Sequence, residues 1–393
     1  MTEAVKALLA DAGVRRMFEV FDGGGEETRI AGGAVRDALI GRVPPEVDFA
    51  TTAVPEEIVR RAAAAGLKSA PTGIEHGTVT IIIDGHPFEI TTLRRDVETD
   101  GRHAKVAFGR DWAEDAQRRD LTINGLFLDG EGKVHDFVGG EGDLKAHLVR
   151  FIGDAKTRIR EDYLRILRFF RFTARYGEGT PDAEAMSAAI SERHGLDQLS
   201  RERIRAELLK FLMTPRAAEL AKLMADAGFL GQVLGGVARP RRLARLLESA
   251  PEADAVQRLG ALALFIEDNA ERLRERLRLS NEETARLKSM AGGPVPTGAD
   301  ERALKALLYQ LGPALYHDRV LFTGAGSEAR SLTERWTAPK FPVSAADLIA
   351  RGVAKGPHLG AALARIEKDW IAAGFPDDKK SIDRLTTNGL AAV

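Results

Sequence analysis

Glu46 and Asp48 have the residue types and the spacing that suit the binding of a divalent metal ion. A single residue separates them, and side chains two positions apart on a β-strand project from the same face. Two carboxylates on one face repel each other unless a cation lies between them, and phosphoryl-transfer enzymes hold pairs of Mg²⁺ ions in this way. For an isolated acid-x-acid pattern, however, a solvated strand edge is the better interpretation.

A pair of glycines before the two acids makes a functional site the better interpretation. Gly32 and Gly33 stand between a strand-like segment and the start of a predicted helix, where glycine lets backbone N–H groups approach a phosphate closely. Arg36 follows one helical turn later and can pair with the same phosphate. An ordinary strand-to-helix turn would explain the glycines alone. Together with the acids, they favour a site for a phosphorylated substrate and a metal ion.

The segment Thr157–Tyr176 contains six arginines and only two acids, Glu161 and Asp162. On a helix of about 3.6 residues per turn, four of the arginines fall within an arc of about 120°, and these are Arg165, Arg168, Arg171 and Arg175. The opposite arc predicts the core face, with Tyr163, Ile166, Leu167, Phe170 and Ala174. Asp162 precedes Arg165 by three residues, so we expect them to be neighbours. The arginine face repels itself unless it meets an anion such as a triphosphate or RNA phosphate; the alternative is a solvated charged surface.

Four ordered stretches resemble motifs of the class II tRNA nucleotidyltransferase and bacterial poly(A) polymerase family, within the DNA polymerase β-like nucleotidyltransferase superfamily. They are Gly32–Asp37, similar to GGxVRD; Arg118–Asn124, similar to RRDxTIN; Glu161–Phe172, similar to EDxLRxLRxxRF; and Ser200–Leu208, similar to the start of the next helix. One departure concerns Glu46, because the family usually has aspartate at this position. Glutamate keeps a carboxylate but reaches one methylene further.

The resemblance implies addition of CMP and AMP, from CTP and ATP, to the 3′ end of tRNA without a template and with Mg²⁺ as cofactor. It implies a catalytic group of Glu46, Asp48 and Glu89, in which Glu46 and Asp48 bind metal. Glu89 lies in a strand-like run and by itself reads as a surface residue. The implied nucleotide-binding residues are Gly32, Gly33, Arg36, Arg119, Asn124, Asp162, Arg165, Arg168 and Arg171. Among them, Asp162 and Arg165 would read the Watson–Crick edge of the incoming base.

Other functions stay open from the sequence alone. An enzyme that adds only CC or only A has the same motifs, and so has a poly(A) polymerase. A pI of about 6.7 and the lack of a basic tail fit poorly with processive binding of arbitrary RNA. A non-catalytic RNA-binding protein follows if Glu46 cannot bind metal. His317 and Asp318 suggest a fused metal-dependent phosphohydrolase, but no further ligands complete such a site.

The elements that must position these residues predict an α+β fold. Strand-like runs at Val47–Ala50, Thr78–Ile83 and Phe88–Thr92 are followed by long helical stretches. We predict a mixed-sheet nucleotidyltransferase head over residues 1–145, a helical neck that recognises the base over residues 146–215, and a helical body and tail that binds tRNA over residues 216–393. The segment Arg94–Gly109 looks like the family's flexible loop, with a plain surface connection as the alternative.

Composition limits the kinds of metal site, the nucleic-acid contacts and the cellular location that the sequence allows. The 393 residues are 44% hydrophobic and include no cysteine, which excludes disulfides and thiolate metal sites. The net charge of -1 shows no general basic excess, but arginine clusters at residues 239–245 and 272–278 could contact the phosphates of tRNA, at its acceptor end and elbow. No apolar run is long enough to span a membrane, and the N-terminal segment Met1–Phe21 is amphipathic. We therefore expect a cytoplasmic protein; no protein partner can be inferred.

Overall fold

A computed structural model describes residues 1–73, 77–100, 103–296 and 300–391 of the chain. The chain folds into two compact units, Met1–Val233 and Leu234–Val393. The first unit contains all the β-strands of the described residues, together with helices, and the second is helical. A mixed sheet followed by many helices is the predicted α+β architecture, which is thereby confirmed.

The strands of the first unit build one large sheet and one small one. The strands are β1 (Thr28–Ala31), β2 (Asp48–Thr51), β3 (Lys68–Gly73), β4 (Thr78–Ile83), β5 (His86–Thr92), β6 (Arg94–Asp100), β7 (His103–Phe108), β8 (Leu126–Leu128) and β9 (Val134–Asp136). Among the described residues, seven strands form a sheet in the order β3-β4-β5-β2-β1-β8-β9. The pairing of β2 with β5 is parallel and the other pairings are antiparallel, so the sheet is mixed.

The remaining two strands, β6 and β7, pair with each other in a separate antiparallel sheet. They occupy most of the segment Arg94–Gly109, so the described part of that segment is a β-hairpin and not an irregular loop. Gly101 and Arg102 lie outside the described residues.

Some helices pack against strands of the large sheet, and others pack mainly against helices. They are α1 (Glu3–Ala10), α2 (Ala12–Phe21), α3 (Gly33–Leu39), α4 (Pro55–Ala64), α5 (Trp112–Gln117), α6 (Gly140–Lys145), α7 (Ala155–Glu161), α8 (Leu164–Tyr176), α9 (Ala183–Ser191), α10 (Arg201–Leu212), α11 (Ala217–Asp226) and α12 (Phe229–Leu234). The amphipathic N-terminal segment is two helices, because the Asp11 side chain accepts a hydrogen bond from the Val14 amide at 3.0 Å and caps α2.

The arginine-rich segment also divides, so the prediction of a single helix over Thr157–Tyr176 is wrong. Helix α7 ends at Glu161, and Asp162 adopts an extended conformation with φ of -157°. Its side chain accepts a hydrogen bond from the Leu164 amide at 3.1 Å at the start of α8. Aspartate competes in this way with the helical hydrogen bonds of the backbone, and the break places Asp162 at a helix junction.

Alternation along β2 separates the two faces of the large sheet. Asp48 is exposed on one face, whereas Phe49 is 1% exposed on the other. The ring of Phe49 packs edge-on against Phe18 and Phe88, with centroids 5.5 and 6.2 Å apart. Full burial of a Phe side chain contributes about 1.5–3 kcal/mol. A shift of one residue would move Asp48 into this core, so packing of Phe49 fixes the register that exposes Asp48.

The second unit is built from helices with several small apolar cores. The helices are α13 (Pro240–Ser249), α14 (Ala255–Ala263), α15 (Asp268–Leu277), α16 (Asn281–Ala291), α17 (Glu301–Thr323), α18 (Ser327–Arg330), α19 (Leu332–Arg335), α20 (Ala345–Ala350), α21 (Pro357–Ala372) and α22 (Lys379–Ala391). In the part of the chain that the structure describes, no helix combines the length and apolarity needed to cross a bilayer.

His317 and Asp318 do not form a phosphohydrolase site. Asp318 is buried, and its carboxylate accepts hydrogen bonds from Arg286 Nε at 2.7 Å and Gln257 Nε2 at 2.9 Å. The bond to Asp318 raises the pKa of Arg286, and the two bonds occupy the carboxylate oxygens that a metal would need. His317 is exposed, so the two side chains point to different surroundings and Asp318 has a structural role.

The two basic clusters of the second unit are partly used within it. Arg242 donates to the backbone oxygen of Phe322 at 2.7 Å, and Arg272 donates to that of Ala263 at 3.1 Å. By contrast, Arg241 and Arg245 are exposed on α13. Contact between these exposed arginines and tRNA phosphate stays a prediction.

Candidate active site

The three predicted catalytic acids line one cleft near the start of β2. Asp48 opens this strand and is the register partner of Glu89 on the parallel strand β5, so both side chains project from one face. Glu46 lies in a bend before β2, which makes the strand argument for Glu46 wrong, although it lines the same cleft. Partial burial, followed by repulsion from Glu89 and Glu46, raises the pKa of the Asp48 carboxyl group against the opposing effect of Arg119.

The glycine turn lies beside these acids, because Ile30 near the end of β1 pairs with Phe49 in β2 and Gly32 follows two residues after Ile30. Gly32 has φ of 64°, a conformation that favours glycine. A Cβ at this position would lie 2.9 Å from Arg119 Nη1 and would displace that guanidinium. Gly33 is the first residue of α3. Arg36, one turn into this helix, is 7% exposed and donates from Nε to Asp37 at 3.0 Å and from Nη1 to Asn124 Oδ1 at 2.5 Å.

Asp115, which the sequence argument missed, holds both arginines of the RRDxTIN-like stretch. Its carboxylate is buried on α5 and accepts from Arg118 Nε at 2.8 Å and from Arg119 Nη2 at 3.1 Å. Burial would raise the pKa of Asp115, but Arg119 and Arg118 hold it below its ordinary value. Arg119 Nη1 also donates to the backbone oxygen of Asn124 at 3.1 Å. Two guanidinium groups are thus fixed in the cleft by one carboxylate.

Asp120 connects the sheet side of the cleft with α8. Its carboxylate accepts from Arg168 Nε at 2.6 Å and from Asn124 Nδ2 at 3.0 Å. Burial alone would raise the pKa of Asp120, but Arg168 and the other donors lower it. Since Asn124 in turn accepts from Arg36, a continuous chain of hydrogen bonds runs from Arg168 to Arg36.

The other arginines predicted on one face of α8 also have carboxylate partners. Arg165 pairs with Glu161, and Arg171 Nε donates to Glu207 on α10 at 2.6 Å. The prediction that this face repels itself unless it meets a ligand anion is therefore wrong for Arg165, Arg168 and Arg171. Arg175 differs from these three because it is exposed and does not line the cleft.

The two predicted base-reading residues are oriented by separate partners. Asp162 Oδ2 accepts from Arg203 Nη2 on α10 at 2.6 Å, while Arg165 pairs with Glu161 and donates from Nη1 to the backbone oxygen of Arg158 at 2.8 Å. Asp162 and Arg165 lie close in the chain, as expected. Their side chains are held by these neighbours and not by each other.

One cleft of about 690 Å³ collects every residue predicted for the site. Its lining includes Gly32, Gly33, Arg36, Glu46, Asp48, Glu89, Arg119, Asn124, Asp162, Arg165, Arg168 and Arg171. The cleft also contains Arg94, Asp115, Arg118 and Asp120, which the sequence argument did not assign. The lining combines carboxylates with guanidinium groups, a set of groups that suits a nucleoside triphosphate and a divalent cation.

The acids alone do not form a closed metal cage. Within the described ranges, no group of three or more His, Asp or Glu residues is close enough to hold a metal ion as it stands. His103 opens β7, and its side chain lies outside the described part. A cation at Asp48 would therefore be bound with adjustment of neighbouring carboxylates or with ligands from the substrate.

Comparison with known proteins places this cleft in a family. The family described as Poly A polymerase head domain matches residues 28–150, and the one described as Probable RNA and SrmB- binding site of polymerase A matches residues 180–239. The chain is 36% identical to CCA tRNA nucleotidyltransferase 1, mitochondrial, of Mus musculus, over 94% of this chain and 88% of that protein. It is 31% identical to the CCA-adding enzyme of Levilactobacillus brevis, over 95% of this chain and 97% of that enzyme.

Solved structures agree over the whole chain. The Bacillus stearothermophilus CCA-adding enzyme, crystallised in complex with CTP, is similar with a TM-score of 0.77 and 25% identity, covering 100% of this chain and 99% of that one. The Thermotoga maritima CCA-adding enzyme complexed with tRNA shares the fold, with a TM-score of 0.66 at 18% identity and 98% of both chains covered. The superfamily generally uses divalent metal ions. The chain belongs to the class II tRNA nucleotidyltransferase and poly(A) polymerase family, as its motifs predicted.

Proposed function

We propose that this protein is a CCA-adding tRNA nucleotidyltransferase. It transfers CMP and then AMP, from CTP and ATP, to the 3′ end of tRNA without a nucleic-acid template. The observation that carries the proposal is that one cleft is lined both by the acids of β2 and β5 and by the arginines of α8. Relatives that bear the CCA-adding name match nearly the whole chain, which supports the same activity here.

The reaction forms one P–O bond and breaks another. The terminal 3′ hydroxyl of tRNA attacks the α-phosphorus, the bond to the β-phosphate oxygen breaks, and pyrophosphate leaves. Glu89, beside Asp48 in the register of β5 and β2, is the carboxylate we assign to receive the hydroxyl proton or to complete the metal ligands. Gly32 and Gly33 offer backbone N–H groups to the phosphates, and Arg36 and Arg119 neutralise their charge.

The carboxylates fit a hard divalent cation, for which we propose Mg²⁺. Oxygen ligands suit this ion. Burial, and after it repulsion from Glu89 and Glu46, raises the pKa of Asp48, and a cation would relieve that repulsion. Glu46 and Asp48 would hold it, with Glu89 assisting. Bound Mg²⁺ supplies Lewis-acid activation of the hydroxyl and stabilises the charge of the leaving group. Glu46 is exposed, so its longer side chain has room to adjust.

Asp162 and Arg165 select the nucleotide in this proposal. A carboxylate accepts from the exocyclic amino group that cytosine and adenine share, and a guanidinium donates to a ring nitrogen or carbonyl oxygen. Arg203 and Glu161 orient these two side chains, which limits the hydrogen-bonding patterns that the site accepts. Arg168 and Arg171 support the base or the triphosphate, while Asn124 supports the pocket through Arg36 and Asp120.

Each of three segments of the chain has its own function in this proposal. We propose residues 1–145 as the catalytic head, 146–215 as the neck that reads the base, and 216–393 as the body and tail that bind the acceptor end and elbow of tRNA. A cytoplasmic location is also proposed, although the mouse relative is named mitochondrial. A fluorescent fusion of the full chain, imaged against organelle markers, tests the location.

One assay tests the activity against its nearest rivals. Purified protein is incubated with Mg²⁺, CTP, ATP or both, and three tRNA transcripts: lacking CCA, lacking only the terminal A, or complete. We expect three additions to the first, one to the second and none to the third. Long A tracts would assign a poly(A) polymerase, and arrest after CC, or addition only to the second transcript, would assign a CC-only or A-only enzyme. Binding of tRNA without incorporation would contradict catalysis altogether.

A further inference from the structure

The guanidinium group of Arg36 is enclosed by residues that reach it from two helices. On its own helix α3, Asp37 Oδ1 accepts from Arg36 Nε at 3.0 Å. From α8, the ring of Tyr176 lies under the guanidinium, 4.2 Å from its carbon, and the ring of Phe172 lies 5.1 Å away. Stacking on aromatic faces and pairing with a carboxylate both restrict a guanidinium. Arg36 is thus held in one orientation.

Tyr176 also holds the carboxylate that holds Arg36. Its hydroxyl donates to the same Asp37 Oδ1 at 2.9 Å, and both residues are buried. Burial raises the pKa of Tyr176, which keeps the hydroxyl protonated as a donor. One oxygen of Asp37 therefore receives a hydrogen bond from Arg36 and another from the last residue of α8.

This contact joins the two binding elements of the cleft. Helix α3 begins at the glycine turn, and Arg36 Nη2 lies 3.5 Å from the position of a Cβ on Gly33. Helix α8 carries Arg165 and Arg168, which line the cleft, whereas Tyr176 does not line it. The Asp37–Tyr176 hydrogen bond and the Arg168–Asp120–Asn124–Arg36 chain are thus two links between α3 and α8.

We infer that Tyr176 and Asp37 are positioning residues that hold Arg36 in the orientation in which it meets the triphosphate. The inference rests on the proposed function, because it assumes that Arg36 meets the phosphates of CTP and ATP. Tyr176 acts through Arg36 and touches no substrate atom. Its effect should therefore appear in ligands that carry β- and γ-phosphates and be absent from those that lack them.

The experiment compares two Tyr→Phe variants of the full chain. Tyr176→Phe keeps the ring under Arg36 but removes the bond to Asp37. The matched control is Tyr316→Phe, which removes a buried hydroxyl that donates to the Ala329 backbone oxygen at 3.0 Å in the second unit. Dissociation constants for CTP, ATP and CMP are measured by calorimetry or competition in Mg²⁺ buffer, together with thermal unfolding.

We expect Tyr176→Phe to raise the dissociation constants of CTP and ATP about fivefold, the scale of one hydrogen bond. The dissociation constant of CMP should stay unchanged. Tyr176→Leu, which also removes the stacked ring, should weaken both triphosphates by about twentyfold. Tyr316→Phe should change stability but none of the three constants. Equal weakening of CMP and CTP, or triphosphate constants like those of Tyr316→Phe, would overturn the inference.

Failure of the positioning role can be told from failure of the proposed function. If the unmodified chain adds nothing to a tRNA that lacks CCA, the proposed function fails, whatever the variants bind. If it adds CCA while Tyr176→Phe binds CTP, ATP and CMP normally, the function stands and the positioning role is wrong.

Discussion

The charged residues that the sheet and helix α8 contribute to the cleft differ in whether the protein itself neutralises them. On β2 and β5, Asp48 and Glu89 are register partners with Glu46 nearby, and their repulsion contributes to a raised pKa of Asp48. On α8, Arg165, Arg168 and Arg171 each meet a protein carboxylate. The acids leave negative charge largely uncompensated, whereas the arginines are neutralised before any ligand arrives.

The difference separates the chemistry from the choice of nucleotide. Uncompensated carboxylates attract a cation. A bound cation in turn stabilises the negative charge of the reacting phosphates. Paired arginines lose affinity for free phosphate but gain a fixed orientation, and hydrogen-bonding patterns are read by fixed donors. We therefore expect variants on the sheet to lose rate, and variants on α8 to lose selectivity or nucleotide affinity.

Replacing Asp48 should have the largest effect. We expect Asp48→Ala to lower the rate of CMP incorporation by about a thousandfold or more, because it removes a proposed metal ligand, while the protein stays folded. Single-turnover incorporation measures the rate. Asp226→Ala, which removes an exposed pair with Lys222, is the matched control and should retain full activity. Substantial activity in Asp48→Ala would disprove its role as a metal ligand.

Replacing Arg165 should alter choice more than speed. We expect Arg165→Ala to reduce the preference for CTP and ATP over UTP and GTP by about a hundredfold, since a bidentate contact to a base contributes about 1–3 kcal/mol of discrimination. Competition among the four nucleotides, with each product sequenced, measures the preference. Arg175→Ala on the same helix is the control, because Arg175 is exposed and outside the cleft. Unchanged preference in Arg165→Ala would argue against base reading by this residue.

Replacing Asp120 should weaken the ion pair that orients the Arg168 side chain, while Arg168 itself is kept. We expect Asp120→Asn to raise KM for CTP and ATP about tenfold, the scale of one charge-assisted hydrogen bond, with KM for tRNA unchanged. An equal change in both values would indicate a general structural defect.

The same variant should change the response to acid. The folded-state pKa of Asp120 lies below the ordinary value of 3.8, so its contribution to stability is complete above that value. The contribution disappears as the pH falls through the lowered pKa. We therefore expect denaturant unfolding of the Asp120→Asn variant to depend less on pH below about 4 than that of the unmodified chain. Identical slopes would rule out this contribution of the Arg168 pair.

Shortening Glu46 should have the smallest effect. We expect Glu46→Asp to retain incorporation within about threefold, because the carboxylate remains and the exposed bend before β2 can adjust. Glu46→Gln should lose about a hundredfold, since the charge is gone. The same single-turnover assay measures both variants. If Glu46→Gln is as active as Glu46→Asp, Glu46 does not bind the metal.

The sequence was sufficient for those parts of the fold and site that depend on local pattern. The apolar and β-branched run at Thr78–Ile83 predicted β4 with the observed bounds, and the predicted site residues all line one cleft. Asp115 carried an overlooked local signal, because it precedes Arg118 and Arg119 by three and four residues on a helix. The helix break at Asp162 was also local, but helix propensity alone did not reveal it.

Contacts between distant segments could not be predicted. Asp120 meets Arg168 across 48 residues of chain, and Arg203 meets Asp162 across 41. No periodicity links such positions, so the arginine face of α8 was taken as unpaired. This interpretation was wrong because the sequence of one helix does not show which acidic residues of other helices or strands will pack against it.

Binding of Mg²⁺ without substrate tests the contrast between the two sides most directly. Calorimetric titration should be run on the unmodified chain, Asp48→Asn and Arg165→Ala, each checked for folding by circular dichroism. We expect the unmodified chain and Arg165→Ala to bind Mg²⁺ with equal affinity, and Asp48→Asn to lose most of that affinity. Equal binding by Asp48→Asn, or a loss in Arg165→Ala as large as in Asp48→Asn, would contradict the assignment of the metal to the acids of the sheet.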